Sequence, residues 1–404
     1  SLFSHSSSQG QAGMEPVFLL LMIGEGILME NKKMRPGLLI TFAGALLAYL
    51  IGSGTASGQE SVQYFSSWGS VGGTITVAVV NFVVMFCCFM AYTYAGRHGT
   101  TDLASVCEFY CGKVVGKIFT AFAWIFNACC FFFMISGFGN TLFQQWGLPL
   151  WIGYAIAIVL AVGTAVLGLQ GIVNIIGKIG PVVVTFLFIL GVISAFTYFP
   201  SISNGVELIR SGEVSVLQAG ANPVLAGLSF GGCSILLVAA YMSSIGKELS
   251  GYKKKYTTVI CIIGAAAISV TVAILGLCHL GNIAESSQAA IPNLLIANQV
   301  FGSASGILGA VFAVIILLSI YSTFCPMLWT CVSTFIKDEK SVKYKLACVL
   351  AGIGVFIVDM FIPYATLVNI IMTYCGYTGG IVFLVLTVRW LMVRNQDKKK
   401  MVSE

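Results

Sequence analysis

The apolar residues of this chain fall in runs of about 20, the length an α-helix needs to cross roughly 30 Å of hydrocarbon, and the runs recur along most of the sequence. Runs such as Val77 to Met90 do not alternate polar and apolar residues, so they are not the strands of an outer-membrane barrel. Composition agrees: 58% of the 404 residues are hydrophobic and 9% charged, against about a quarter charged in a soluble domain. The chain reads as an all-α polytopic membrane protein, and a soluble enzyme is excluded.

Ten spans are bounded by Gly, Pro or charge, at about 37–66, 73–95, 118–142, 149–169, 172–199, 222–246, 257–280, 305–336, 344–361 and 364–393. Charge tests the count, because basic residues collect in cytoplasmic loops. With Lys32, Lys33 and Arg35 inside, 20 of the 21 Lys and Arg fall on the inner side and only Arg210 is left outside. A missed helix would invert every later loop. Both termini are therefore expected to be cytoplasmic and the membrane to be the cell inner (plasma) membrane. The net charge of +6 is explained by this sorting and needs no nucleic-acid partner. Trp68, Trp146, Trp151 and Trp390 lie near span ends, as in aromatic belts.

Residues 1–28 are expected to be a tag or translated leader. Ser1 to Gly13 is rich in Ser, Gln and Gly, and Pro16 to Leu28 is too short to span. Residues 29–404 then form one transmembrane domain. The 13 cysteines contain no CxxC pair and sit mostly in apolar runs, where Cys acts as a small hydrophobe. Neither a disulfide frame nor a metal centre is indicated.

Ten helices divide into two repeats of five, about 37–199 and 222–393. An odd repeat unit enters the membrane from opposite sides, the inverted arrangement of many secondary transporters. Such a fold is expected to break the first helix of each half. Helix 1 carries Gly52, Gly54 and Gly58 within seven residues, each costing a helix about 1 kcal/mol relative to Ala. Helix 6 carries Leu228-Ser229-Phe230-Gly231-Gly232-Cys233-Ser234. Both points lie about 21 Å from the inner surface, counted at 1.5 Å per residue. Unwound backbone at that depth must line a cavity or be buried in protein. The competing reading is that these glycines only permit close helix packing.

Glu60 is the acid that charge sorting does not explain. Ser57-Gly58-Gln59-Glu60 matches a capping box for the restarted helix. Equally, a carboxylate beside a cavity could hold a substrate ammonium, join in cation coupling or carry a proton. Helix 8 adds Ser319, Ser322 and Thr323 before Pro326 at the same depth, oxygens suited to Na+, although mid-helix hydroxyls more often bond back to the preceding turn. Asn81, Asn127 and Asn369 read as interhelical hydrogen bonds, Lys178 as a snorkelling residue, and His279 as an exposed or capping residue at an outer helix end.

These residues carry a resemblance. Gly52-Ser53-Gly54-Thr55 resembles the first-helix motif of amino acid–polyamine–organocation transporters, and Gly54-Thr55-Ala56-Ser57-Gly58-Gln59-Glu60 resembles the GxxASGQE signature of YkvI-type membrane proteins, both of the LeuT-fold superfamily. Gly171-Ile172, Lys178 and Pro181 are similar to a pattern of neurotransmitter:sodium symporters. The resemblance implies a ten-helix LeuT-like 5+5 inverted repeat with discontinuous helices 1 and 6. It implies a Na+ site at Gly52, Thr55, Ser319, Ser322 and Thr323. Substrate would be held by Ser53, Gly54, Ala56, Ser57 and Gly58, with Phe230, Gly231 and Gly232, and with Gln59 and Glu60 at its edge. The neurotransmitter symporters have Asn in place of Gln59 and lack the acid at Glu60, so substrate class does not carry over from them. The expected function is secondary transport by alternating access, Na+-coupled symport of a small amino-acid-like or amine-bearing solute, without covalent chemistry. Proton coupling through Glu60 or Lys178 is the alternative within the class. A solute-sensing receptor subunit or channel is the alternative outside it.

Overall fold

A computed structural model describes residues 42, 46, 53–100, 102–166, 180–301, 305–336 and 338–403. The reading of residues 1–28 as a leader, the inner half of helix 1 apart from Phe42 and Leu46, Gly52 and Lys178 lie outside the described residues. The described chain is helical throughout. It runs α1 (Ser53–Ser57), a π turn (Ser61–Phe65), a 3-10 turn (Ser66–Trp68), α2 (Val71–Arg97), α3 (Leu103–Cys111), α4 (Lys113–Trp146), α5 (Leu150–Val166) and α6 (Gly180–Tyr198). The second half runs α7 (Ile202–Arg210), α8 (Pro223–Glu248), α9 (Lys254–Gly281), α10 (Ile283–Ser286), α11 (Pro292–Val300), α12 (Ser305–Ser333), α13 (Val342–Asp359) and α14 (Tyr364–Ser403).

Among the described residues seven helices are long and apolar enough to cross a membrane. Two further expected spans are shorter or more polar: α5 has 17 residues, and α13 carries Lys343, Lys345 and Asp359. Exposed apolar side chains cover the lipid-facing surfaces, among them Ile75, Val159, Phe196, Ile307 and Leu384. Trp146 and Trp151 are exposed as a belt requires, whereas Trp390 is buried at 6% with the Arg394 guanidinium 5.5 Å from its ring centre.

The helices pack in two groups. α2 lies along α8 and α9, and α14 lies along α8. α4, α5, α12 and α13 pack on one another. The first helix joins the groups: α1 touches α4, α11 and α12, while the π turn that follows it touches α2, α8 and α9.

The expected break in helix 6 is absent. α8 is one uninterrupted helix of 26 residues, opened by Asn222, whose Oδ1 accepts from the Leu225 N–H at 2.9 Å, and by Pro223. Its glycines serve contact instead. A Cβ on Gly232 would overlap the Gly376 carbonyl and sit 2.7 Å from the Gly380 N on α14, and one on Gly231 would press on Val84 of α2. Backbone approach of this kind is what small residues supply where lipid offers no hydrophobic drive between helices.

Candidate functional site

Helix 1 does break, and Gly58 is the point. Its φ of +90° is a conformation that side-chain-bearing residues rarely adopt. The Gly58 N–H still closes on the Gly54 carbonyl at 3.2 Å, but after Gln59 and Glu60, which are helical, the chain continues as a π turn and a 3-10 turn. Ser57 Oγ donates to the Gly54 carbonyl at 2.9 Å and accepts from the Gln59 N–H at 3.3 Å.

The Ser57–Glu60 capping box is not made. The Glu60 carboxylate turns back and accepts a hydrogen bond from Thr55 Oγ1 at 2.5 Å. It lies over Gly54, where any Cβ would overlap it. Glu60 is 4% exposed, so a carboxylate stands inside the protein at the junction of the two helix groups.

The break is held from the far side by the segment between α9 and α12. Asn293 Nδ2 donates to the carbonyls of Thr55 and Ala56, at 3.0 and 3.1 Å. Its Oδ1 therefore accepts, and His279 Nε2, 2.9 Å away, is the donor. His279 Nδ1 is then left to accept from Ser286 Oγ at 3.0 Å. His279 is fully buried, contrary to its reading as an exposed end residue, because α10 and α11 fold over it. Gln59 anchors the same segment, Nε2 donating to the carbonyls of Ala289 and Ala290 at 2.8 and 3.0 Å. Gln63 Nε2 donates to Gln59 Oε1 at 2.9 Å and to the Ala365 carbonyl at 3.0 Å. Tyr364 Oη donates to Ser57 Oγ at 2.9 Å.

The expected site residues are thus partly assembled. Gly54, Thr55, Ala56, Ser57, Gly58, Gln59 and Glu60 are all buried in one place. Phe230 packs on the π turn that follows them, its ring edge-on to Phe65 at 5.4 Å and tilted to Tyr64 at 5.3 Å. Gly231 and Gly232 offer no free backbone, since α8 is continuous there. On α12, Ser322 Oγ and Thr323 Oγ1 both donate to the Ser319 carbonyl, at 2.7 and 2.9 Å, the back-bonded arrangement. Of the three asparagines read as interhelical, Asn81 reaches Ser269 on α9 at 2.9 Å and Asn369 reaches Gln63 at 3.2 Å. Asn127 instead donates to Ala123 of its own helix at 2.9 Å.

Asn293 and the buried state of His279 were not evident from a span-by-span reading. Residues 282–300 pass as a loop there, although Ile291, Leu294 and Ala297 recur every three residues and all three are buried. That spacing marks a docked helix.

Comparison with known proteins places the fold. The chain superposes on MhsT in complex with L-phenylalanine over 89% of each chain, with a TM-score of 0.57 and 14% identity. It superposes on the Eremococcus coleocola manganese transporter in complex with an aromatic bis-isothiourea substituted compound over 90% of this chain and 88% of that one, with a TM-score of 0.50 and 15% identity. The chain is a multi-pass helical membrane protein with the LeuT fold. By sequence it is 29% identical over 208 residues to the uncharacterized protein YyaD of Bacillus subtilis (strain 168), a match covering 51% of this chain and 56% of that one. The match thus spans little more than half the length of that relative. No family model matches the sequence.

Proposed function

We propose that this chain is a secondary transporter of the YkvI-type group, carrying a small amino-acid-like or amine-bearing solute by alternating access, with Na+ as the coupling ion. The observation that carries the reading is the break at Gly58, where a buried carboxylate sits at the junction of the two groups of helices. The Glu60 carboxylate holds the solute ammonium, and the backbone of Ser53 with the buried backbone from Gly54 to Gly58 surrounds the rest of the head group, with the Phe230 ring closing one side. Na+ binds between the helix 1 break and α12, taking carbonyls of Gly52 and Thr55 with oxygens of Ser319, Ser322 and Thr323. The Thr55 carbonyl keeps a second lone pair beyond the one given to Asn293, and each back-bonded hydroxyl keeps its acceptor sites. A cation can therefore reach Thr55 and the two hydroxyls without breaking these bonds, whereas the Ser319 carbonyl, already accepting from both hydroxyls, gives up one of them to bind it.

Proton coupling is the second reading, favoured by one observation: among the described residues Glu60 is paired with a neutral hydroxyl rather than a cationic side chain. A thermal-unfolding panel of amino acids and amines, in NaCl and in choline chloride at two pH values, separates the two. Na+ coupling gives a stabilising solute that needs Na+, with the effect lost in Thr323→Ala. A stabilising solute that ignores Na+ and follows pH, with a normal Thr323→Ala variant, selects the proton. Stabilisation by a solute without gradient-driven uptake would mark a receptor or channel.

A further inference from the structure

Thr55 joins the Glu60 carboxylate to the proposed cation ligands. Its hydroxyl donates to Glu60 at 2.5 Å, and its carbonyl is released at the break, because the Gln59 N–H that an unbroken helix would bring to it goes to Ser57 Oγ at 3.3 Å. Asn293 takes up that carbonyl. Its Nδ2 spans the carbonyls of Thr55 and Ala56 at 3.0 and 3.1 Å, while its backbone N and side chain stand so close to Gly58 that a Cβ there would come within 2.8 Å of them.

These two bonds are not what docks the segment. Gln59 holds the carbonyls of Ala289 and Ala290, and Gln144 on α4 clasps Ile291, its Nε2 donating to the Ile291 carbonyl and its Oε1 accepting from the Ile291 N–H, each at 2.9 Å. With the residues just before it anchored in this way, Asn293 is held in place and its amide is directed at the break. His279 completes the arrangement. Once Nδ2 faces two carbonyls, Oδ1 needs a donor, and the Nε2–H of His279 supplies it from 2.9 Å. Both side chains are fully buried, so a donor lost here is not replaced by bulk water, and the amide is left with an unmatched acceptor.

We infer that Asn293 and His279 are positioning residues of the helix 1 break: Asn293 sets the direction of the Thr55 and Ala56 carbonyls, and His279 holds the Asn293 amide in the orientation that does so. The consequence for Na+ rests on the reading of this site as a cation and solute site. There the Thr55 carbonyl is a ligand, and an N–H on one lone pair leaves the other, in a fixed direction, for the ion.

The two residues also tie the break to both groups of helices. His279 lies on α9, which packs on α2, and Asn293 lies on α11, which packs on α12 and α6. A shift of α9 relative to α11 is thus passed to the Thr55 carbonyl through the Asn293 amide.

The test titrates Na+ alone into the purified protein at constant ionic strength in choline chloride and reads the unfolding temperature. His279→Leu removes the donor and keeps the bulk; it is expected to raise the Na+ midpoint about fivefold or more, as is Asn293→Leu, which offers the carbonyls no N–H. His279→Gln sets a side-chain amide N–H near the place of Nε2–H and is expected to stay within about twofold of wild type. Equal midpoints in the Leu and Gln variants of His279 would make it a space-filling residue and overturn the proposal, and so would an Asn293→Leu midpoint at or below that of wild type. If Na+ leaves the wild type itself unmoved, the cation reading fails, and the positioning is decided by hydrogen exchange over residues 53–65. Exchange about tenfold faster in His279→Leu and near wild type in His279→Gln upholds it, and exchange alike in both variants overturns it. Should the Leu variants not fold, the wild type answers. Nitrogen NMR of isotope-labelled histidine, with His5, His98 and His279 as the three rings and the signal assigned through His279→Gln, is expected to show His279 protonated on Nε2. A His279 ring bare at Nε2 overturns the proposal.

Discussion

Gly58→Ala is expected to abolish solute binding while the protein still reaches the membrane. The native φ of +90° is adverse for any residue with a Cβ, and the Ala methyl would stand 2.7 Å from the Asn293 backbone N, an atom that cannot swing away. Strain of about 1–3 kcal/mol and overpacking of about 1–3 kcal/mol act together, and even about 2 kcal/mol weakens binding by roughly 30-fold. Gly163→Ala is the control. It lies on an exposed face of α5 with open space around the missing Cβ, and its affinity is expected to stay within twofold of wild type. Solute-induced thermal shifts on both variants check the contrast, and equal affinities would show that the break at Gly58 is not part of the site.

Glu60→Gln is expected to cut solute affinity by at least about 30-fold with little change in unliganded stability. The amide oxygen can still accept from Thr55 Oγ1, so the local geometry is kept while the charge is removed. Removing one partner of a buried charge pair costs about 2–5 kcal/mol, which sets the size of the effect. Transport and its pH dependence unchanged in this variant would reduce Glu60 to a structural link between Thr55 and the restarted helix. Transport that persists but loses its pH dependence would transfer the coupling role to a proton.

The length of the apolar runs made the membrane class legible, and seven of the ten expected spans are long and apolar enough among the described residues, because hydrocarbon thickness acts on any helix regardless of its partners. Gly58 was legible too. Three glycines within seven residues beside an acid are hard to reconcile with an unbroken span. Gly231 and Gly232 misled, since a glycine pair that weakens a helix and one that admits a neighbouring backbone look alike until the neighbour, here Gly376 to Gly380 on α14, is known. Glu60 showed the limit of local motifs. Its spacing from Ser57 suits a capping box, but Gly54 leaves room for the carboxylate to fold back onto Thr55. Asn293 and His279 depend on contacts more than 220 residues apart in the case of Asn293 and Thr55, which no window along the chain can contain.

The buried acid beside Gly58 is proposed to belong to a solute site driven by an ion gradient. Accumulation of the stabilising solute into proteoliposomes, under an inward Na+ gradient and under an inward proton gradient of equal size, tests it most directly. Uphill uptake is expected to require Na+, to collapse when Na+ is equal on both sides, and to be absent in Glu60→Gln. Binding of the solute with no accumulation under either gradient would contradict it.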